Sequence, residues 1–174
     1  MQLQLKSVIR DVRDFPKPGI LFRDITPIFQ NAQLCDSVVD EFVARLNNQK
    51  IDAVVAIESR GFLFGIMLAN RLNVPLVLVR KKGKLPYKPV SYEYNLEYGT
   101  AEMELQVDDI KPGWNVLIHD DVLATGGTAD AAARLIKSQK GNVIGFAFLL
   151  ELKFLNGQQM ISQHSRNIIS LVEY

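Results

Sequence analysis

The chain has 174 residues, 48% of them hydrophobic and 22% charged, which excludes a disordered segment and leaves ample material for a buried core. Its 20 basic and 19 acidic side chains give a net charge of +1, so no bulk electrostatic pull toward nucleic acid or membrane is expected. A single cysteine, Cys35, excludes an internal disulfide and suits a reducing, cytoplasmic setting.

The first fifteen residues carry Lys6, Arg10, Asp11, Arg13 and Asp14 and so hold no uninterrupted apolar signal segment. Residues 6–12 read as a short amphipathic helix ended by Phe15-Pro16-Lys17-Pro18-Gly19, a run of strong backbone punctuation. Leu34, Val38, Phe42 and Leu46 then recur every fourth residue, placing one apolar stripe on a helix. Residues 51–57 form a β-branched apolar run, as expected of a strand covered on both faces. Residues 61–72 are helix-length and apolar nearly all round, hence buried. Residues 75–79 repeat the strand signal. The longest apolar runs, 61–69 and 143–150, fall far below the ~20 residues of a membrane-spanning helix.

From Lys81 to Thr100 the pattern breaks for about twenty residues, the length of a lid or binding loop rather than a plain connection. Four of the five tyrosines lie there, Tyr87, Tyr92, Tyr94 and Tyr98. Ala101, Met103, Leu105 and Val107 then alternate with polar residues, the signature of a half-buried strand. The segment reads as an antiparallel hairpin resting on a sheet and able to serve as a hood. Residues 114–119 predict a strand, 128–140 an alanine-rich helix stopped at Gly141, 143–150 a buried strand, and 168–172 a last edge strand. Strand–helix alternation with buried strands predicts one α/β domain over residues 1–174, built on a mainly parallel sheet with flanking helices. In such sheets ligands bind at the carboxyl ends of the strands.

The richest stretch is His119-Asp120-Asp121-Val122-Leu123-Ala124-Thr125-Gly126-Gly127-Thr128. It follows a buried strand and opens a helix. Gly126 and Gly127 permit a tight turn whose N–H groups point to one spot, and the helix start adds free donors and a positive dipole end. Thr125 and Thr128 add hydroxyls. The product is a phosphate cradle. It is neither a Walker A loop nor a dinucleotide fingerprint, since both GxxxxGK[ST] and GxGxxG are absent. Asp120 and Asp121 repel phosphate, so their partner lies beyond it: vicinal ribose hydroxyls or a hydrated Mg2+. The bland alternative is an Asp-Asp pair that merely ends a strand.

This stretch resembles the phosphoribosyl-pyrophosphate (PRPP) binding motif of type I phosphoribosyltransferases. Residues 15–25 (Phe-Pro-Lys-Pro-Gly-Ile-Leu-Phe-Arg-Asp-Ile), 58–65 (Glu-Ser-Arg-Gly-Phe-Leu-Phe-Gly), 80–86 and 96–99 narrow the resemblance to the adenine phosphoribosyltransferase family. The resemblance implies a type I fold with a hood over the site at about residues 81–105 and a base-recognition segment at about residues 1–33. It implies transfer of phosphoribosyl from PRPP to N9 of adenine, giving AMP and pyrophosphate, with Mg2+ carried on substrate oxygens near Asp120 and Asp121. Ala124, Thr125, Gly126, Gly127 and Thr128 would hold the 5′-phosphate, and Asp120 and Asp121 would face the ribose. Ser59, Arg60, Arg80, Lys81 and Lys84 would face pyrophosphate, with a cis peptide at Glu58–Ser59; Lys82 is left to the surface. Adenine would meet the backbone of Leu21, Phe22 and Arg23, between the side chains of Leu21 and Leu123. Glu97, beside Tyr98 in the hood, would manage the adenine proton. A homodimer is also implied.

Several residues invite simpler readings. His119 stands where the family usually has an aliphatic residue and reads as a core histidine, with tuning of the carboxylates as the other option. His164 has no partner at metal-ligand spacing. Cys35 reads as structural, and Lys17, Glu102 and Glu104 as a solvated face. Two other functions compete: a phosphoribosyltransferase for xanthine, hypoxanthine or orotate, and a PRPP-sensing regulator of nucleic acid. The regulator calls for a helix-turn-helix or broad basic face, which the charge balance does not supply.

Overall fold

The computed structural model describes residues 1–95 and 100–174. A first helix, α1 (Gln2–Val8), is followed by two short strands, β1 (Arg10–Arg13) and β2 (Leu21–Asp24), paired antiparallel with Val12 opposite Phe22. The expected helix at residues 6–12 is therefore corrected. Helix α1 lies earlier, burying Leu5 completely, and the later residues pair with β2 across the proline turn. Tertiary pairing overrides a weak local helix preference here.

The body alternates as the apolar pattern requires: α2 (Ala32–Arg45), β3 (Ala53–Ile57), α3 (Gly61–Leu72) and β4 (Leu76–Lys81). Next come β5 (Pro89–Asn95) and β6 (Thr100–Gln106), then β7 (Asn115–Leu123), α4 (Gly127–Ser138), β8 (Asn142–Glu151), α5 (Gly157–Ile161) and β9 (Ile168–Glu173). Among the described residues seven strands form one sheet in the order β5-β6-β4-β3-β7-β8-β9. The pairs from β4 through β9 are parallel, while β6 joins β4 antiparallel at Arg80 and Lys81. The tyrosine-rich hairpin thus extends the sheet at its edge instead of resting on its face.

Two apolar cores fill the two sides of the sheet. One packs α1, α2 and α3 through Leu5, Val38, Phe42, Phe64 and Leu68; the other packs α4 through Ala132, Leu135 and Ile136 against Val79, Ile118 and Phe148. Leu117 faces the first and Ile118 the second, as alternation along a strand demands. Asn31 caps α2 by accepting from the Leu34 amide at 3.0 Å, and Leu34, Val38 and Phe42 are buried along one stripe. Helix α3 lies so close to β3 that a Cβ on Gly65 would sit 2.6 Å from Cβ of Ala56.

His119 is fully buried in β7, edge-on to the Phe42 ring at 5.4 Å, and neither ring nitrogen has a well-formed hydrogen bond. Burial, only partly offset by the Ala147 backbone, lowers its pKa to about 4. It fills the core as a neutral ring. The unfolded chain takes up this proton near pH 6.5 while the folded chain refuses it until about pH 4, so the contribution is intact above 6.5 and is lost as pH falls through that window. That gap corresponds to about 3 kcal/mol. Denaturant titrations of wild type and His119→Leu from pH 7 to pH 4 are expected to diverge by this order, with the variant the less pH-sensitive. Parallel curves would show that His119 does not titrate differently on folding.

Candidate active site

The chain runs outward from β3 to β4, then returns to place β7 on the other side of β3. Such a reversal opens a crevice at the strand carboxyl ends. Asp120 and Asp121 occupy it, both inside β7, which continues to Leu123, past the residues 114–119 that the apolar pattern predicts. Helix α3 begins directly above them: a Cβ on Gly61 would lie 2.8 Å from Oδ1 of Asp120 and 3.1 Å from its Cα. Only glycine fits there without displacing the strand. The Asp121 amide donates to Oδ1 of Asp120 at 2.8 Å, and Nε of Arg60 pairs with Oδ2 of Asp121 at 2.8 Å.

Burial raises the pKa of both carboxyls. For Asp120 the neighbouring Asp121 charge adds to burial and carries it well above the usual range; for Asp121 the Arg60 guanidinium opposes the rise. A desolvated carboxyl pair holds a proton more tightly than isolated aspartates do.

A cleft of about 330 Å3 opens over this pair, lined by Glu58, Ser59, Arg60, Lys81, Tyr94, Met103, Asp120, Asp121 and Thr128. The peptide Glu58–Ser59 is cis. Glu58 organises the basic edge: its Oε2 accepts from the Lys81 amide at 3.0 Å and from Nε of Arg80 at 3.2 Å. Burial works against that charge, but these two donors outweigh it and hold the carboxyl below its ordinary range. Arg80 also donates to the Lys84 carbonyl at 2.9 Å. Of the expected cations, then, Arg60 and Lys81 line the cleft, whereas Arg80 is turned to Glu58 and Lys84 is exposed. Lys82 stands in solvent against Glu102 at 2.6 Å.

On one side the cleft continues into a small hollow lined by Asp120 and residues 122–129. Gly126, at φ +89°, caps α4, so the first-turn amides of α4 have no intrahelical acceptors and face the hollow. Thr125 is exposed and Thr128 lies 3.5 Å from the Tyr94 hydroxyl. On the other side Arg60 borders an apolar pocket of about 210 Å3 shared with Ile20, Leu21, Phe22, Arg23, Val122, Leu150 and Leu152. Arg60 stacks over the Phe22 ring at 4.9 Å. Strand β2 pairs only with β1 among the described strands, so its outer edge keeps backbone donors and acceptors free for a ligand.

Two expectations change here, those for Leu123 and Glu104; that for Arg23, which concerned its backbone, does not. Val122, not Leu123, faces the apolar pocket; Leu123 is 1% exposed and packs in the core beside α4, because successive strand residues point to opposite faces. The Arg23 side chain turns away to Asp11 and over the Tyr174 ring at 3.8 Å, leaving its backbone as the part available to a base. Glu104 is 5% exposed and accepts from the Gly83 amide at 2.9 Å, bracing the Lys81–Lys84 turn from behind instead of joining a solvated face. Glu97 and Tyr98 lie outside the described residues. Tyr94 in the cleft and Val122 in the apolar pocket were not singled out: Tyr94 carries no motif, Val122 is an unmarked apolar member of one, and only the phase of each strand brings it there.

Residues 28–163 match the phosphoribosyl transferase domain. Adenine phosphoribosyltransferase of Cytophaga hutchinsonii is 47% identical over 174 residues, covering 100% of this chain and 96% of that protein. The chain belongs to the adenine phosphoribosyltransferase family. Its fold matches the enzyme of Thermoanaerobacter pseudethanolicus with a TM-score of 0.95 at 45% identity, over 99% of each chain. The Saccharomyces cerevisiae enzyme, complexed with an imino-altritol bisphosphate and adenine, matches at 0.92 and 40% identity over 97% of each chain.

Asp120→Asn tests the carboxyl pair. The unfolded chain loses this proton near pH 3.8, the ordinary aspartate value, while the folded chain keeps it, so the aspartate lowers stability as pH rises from there through its folded pKa. The asparagine variant is expected to be more stable than wild type at pH 7, by a margin that vanishes below pH 3.8. Its activity is expected to fall by about 100-fold or more. Denaturant unfolding at both pH values with steady-state kinetics checks this; a variant less stable at pH 7 would mean that Asp120 is not strained by burial.

Proposed function

We propose that the chain transfers the phosphoribosyl group of PRPP to N9 of adenine, giving AMP and pyrophosphate. The observation that carries this is the order of three contiguous spaces: a phosphate-sized hollow, a polar cleft with two carboxylates and cations, and an apolar slot edged by free backbone. Asp120 and Thr128 border both the hollow and the cleft, and Arg60 borders both the cleft and the slot. A 5-phosphorylated ribose with a base at C1′ has those parts in that order.

In this reading residues 124–128 hold the 5′-phosphate through backbone amides and threonine hydroxyls. Asp120 and Asp121 accept from the ribose hydroxyls. Lys81, Arg60 and the Ser59 backbone receive pyrophosphate as the C1′–oxygen bond breaks, with Arg80 and Lys84 holding the turn. Positive charge grows on the ribose at that moment, and the two carboxylates beneath it stabilise it. Adenine lies between Leu21 and Val122, reading the open edge of β2 at Leu21–Arg23. The N9–C1′ bond forms as N9 gives up its proton, which Glu97 accepts or relays. The hood at residues 81–105, with Tyr98, excludes water that would hydrolyse PRPP.

The donor set fits Mg2+ brought in on PRPP. Two adjacent carboxylates are present, one already paired with Arg60, and among the described residues no group of three metal-binding side chains occurs. A hard ion that keeps its waters and uses phosphate oxygens suits such a sparse site. Once bound with PRPP it supplies charge neutralisation for the leaving group. A single functional domain, a homodimer and a cytoplasmic setting belong to the same reading.

A base panel with PRPP and Mg2+ tests it: adenine, hypoxanthine, guanine, xanthine and orotate, with nucleotide and pyrophosphate both measured. Turnover of adenine with release of equimolar pyrophosphate is expected. Preference for another base would overturn the assignment of the slot, and no turnover of any base would overturn the activity. Glu97→Gln is expected to lower kcat by about 100-fold with a smaller rise in KM for adenine. A change confined to KM would make Glu97 a binding residue.

A further inference from the structure

Two buried carboxylates take no part in the reaction proposed above. Asp130 is 8% exposed and Glu151 is 2% exposed, and both grip the segment that contains α5. Oδ1 of Asp130 accepts from Nε2 of His164 at 2.7 Å and from Gln163 at 3.3 Å, while its Oδ2 accepts from Nε of Arg134 at 2.8 Å. Lys137 donates to Nδ1 of His164 at 2.8 Å, which fixes the tautomer that presents Nε2–H to Asp130. Burial works against the Asp130 charge, but Arg134 and His164 outweigh it. From the other side, Oε2 of Glu151 accepts from Gln158 at 2.7 Å.

The segment held this way presses on the phosphate hollow. A Cβ on Gly157 would collide with the Ala124 carbonyl and lie 2.9 Å from Cδ1 of Leu123. A Cβ on Gly126 would lie 2.7 Å from the Gly157 carbonyl and 3.2 Å from Cβ of Met160. Loop and segment are therefore in backbone contact with no room between them. Asp130 is tied to the loop directly as well, since its amide donates to the Gly126 carbonyl at 2.8 Å.

We propose that residues 157–164 form a buttress that sets the shape of the 5′-phosphate loop, with His164 and Gln158 as its positioning residues. This rests on the phosphate assignment made above and adds what holds that loop in register. Neither residue touches the cleft; each acts by fixing Gly157 behind Ala124 and Gly126. The amides of the loop then stand in a fixed array before phosphate arrives, and misplacing such an array by a fraction of an ångström weakens it.

The test separates the phosphate end of the substrate from its other parts. Wild type, His164→Ala, His164→Gln and Gln158→Ala are compared for kcat, for KM of PRPP and of adenine, and for binding of ribose 5-phosphate and of inorganic pyrophosphate. His164→Ala is expected to weaken ribose 5-phosphate and raise the KM for PRPP by about tenfold, with adenine and pyrophosphate within about twofold. Glutamine carries an Nε2 donor of similar reach and is expected to restore most of the loss. Gln158→Ala releases the opposite tether and is expected to give the same selective weakening, so the proposal stays testable if His164→Ala does not fold. Equal weakening of all ligands, or lower Tm with every constant unchanged, overturns the buttress. Wild-type protein that turns over adenine but fails to distinguish ribose 5-phosphate from ribose overturns the phosphate assignment and the buttress with it.

Discussion

Asp120 and Asp121 bring two negative charges to the end of a strand whose residues Val116 to His119 are buried completely. Water reaches them poorly, so their charge has to be met by the protein or by a ligand. Helix α3 begins against Asp120, which is why Gly61 can carry no side chain, and α4 begins a few residues beyond. The N-terminus of α3 thus brings its positive end close to Asp120. Arg60, from the turn between β3 and α3, completes the arrangement. The order of the strands is what makes it feasible: only where the chain reverses direction across the sheet do two such turns face one another over an open crevice.

Arg60 then links parts of the site that are otherwise separate. Its guanidinium pairs with Asp121 and stacks on Phe22, so the carboxyl pair and strand β2 share one cation. Strand β2 is docked on its other face by Arg23 over Tyr174, whose backbone is fixed by the Glu151 carbonyl at 2.9 Å. Two cation–aromatic contacts therefore steady a two-stranded ribbon that, by itself, is too small to be stable.

The parallel body and the strand–turn–helix word over residues 115–138 could be read from the sequence because each rests on local signals. Buried strands are runs of β-branched residues, and the turn is marked by two adjacent glycines. What escaped depends on residues far apart or on strand phase. Val122 and Leu123 are equally apolar, and which one meets the slot is fixed by where β7 ends its alternation. The β1–β2 ribbon has no apolar period because β1 is mostly exposed and β2 is only half-buried. Asp130 and His164 are thirty-four residues apart, with nothing in either neighbourhood to mark them as a pair. Glu104 alternates as a solvent residue should, yet β6 lies where that face meets the Gly83 amide.

A common device runs through those missed contacts. Glu58, Glu104, Asp130 and Glu151 are partly or wholly buried carboxylates, and each holds the backbone or side chain of a segment at or behind the cleft. Buried ion pairs add little net stability, since desolvation offsets most of the attraction. Their value here is geometric. An apolar contact tolerates sliding, whereas a carboxylate accepting two or three hydrogen bonds fixes both distance and direction. The loops that face the cleft are short, glycine-bearing and rich in cations, and would spread under their own repulsion and conformational freedom. Anchoring Lys81 and Arg80 through Glu58, Gly83 through Glu104, and the α5 segment through Asp130 and Glu151 removes that freedom before a ligand binds, so the ordering cost falls on folding and not on substrate capture.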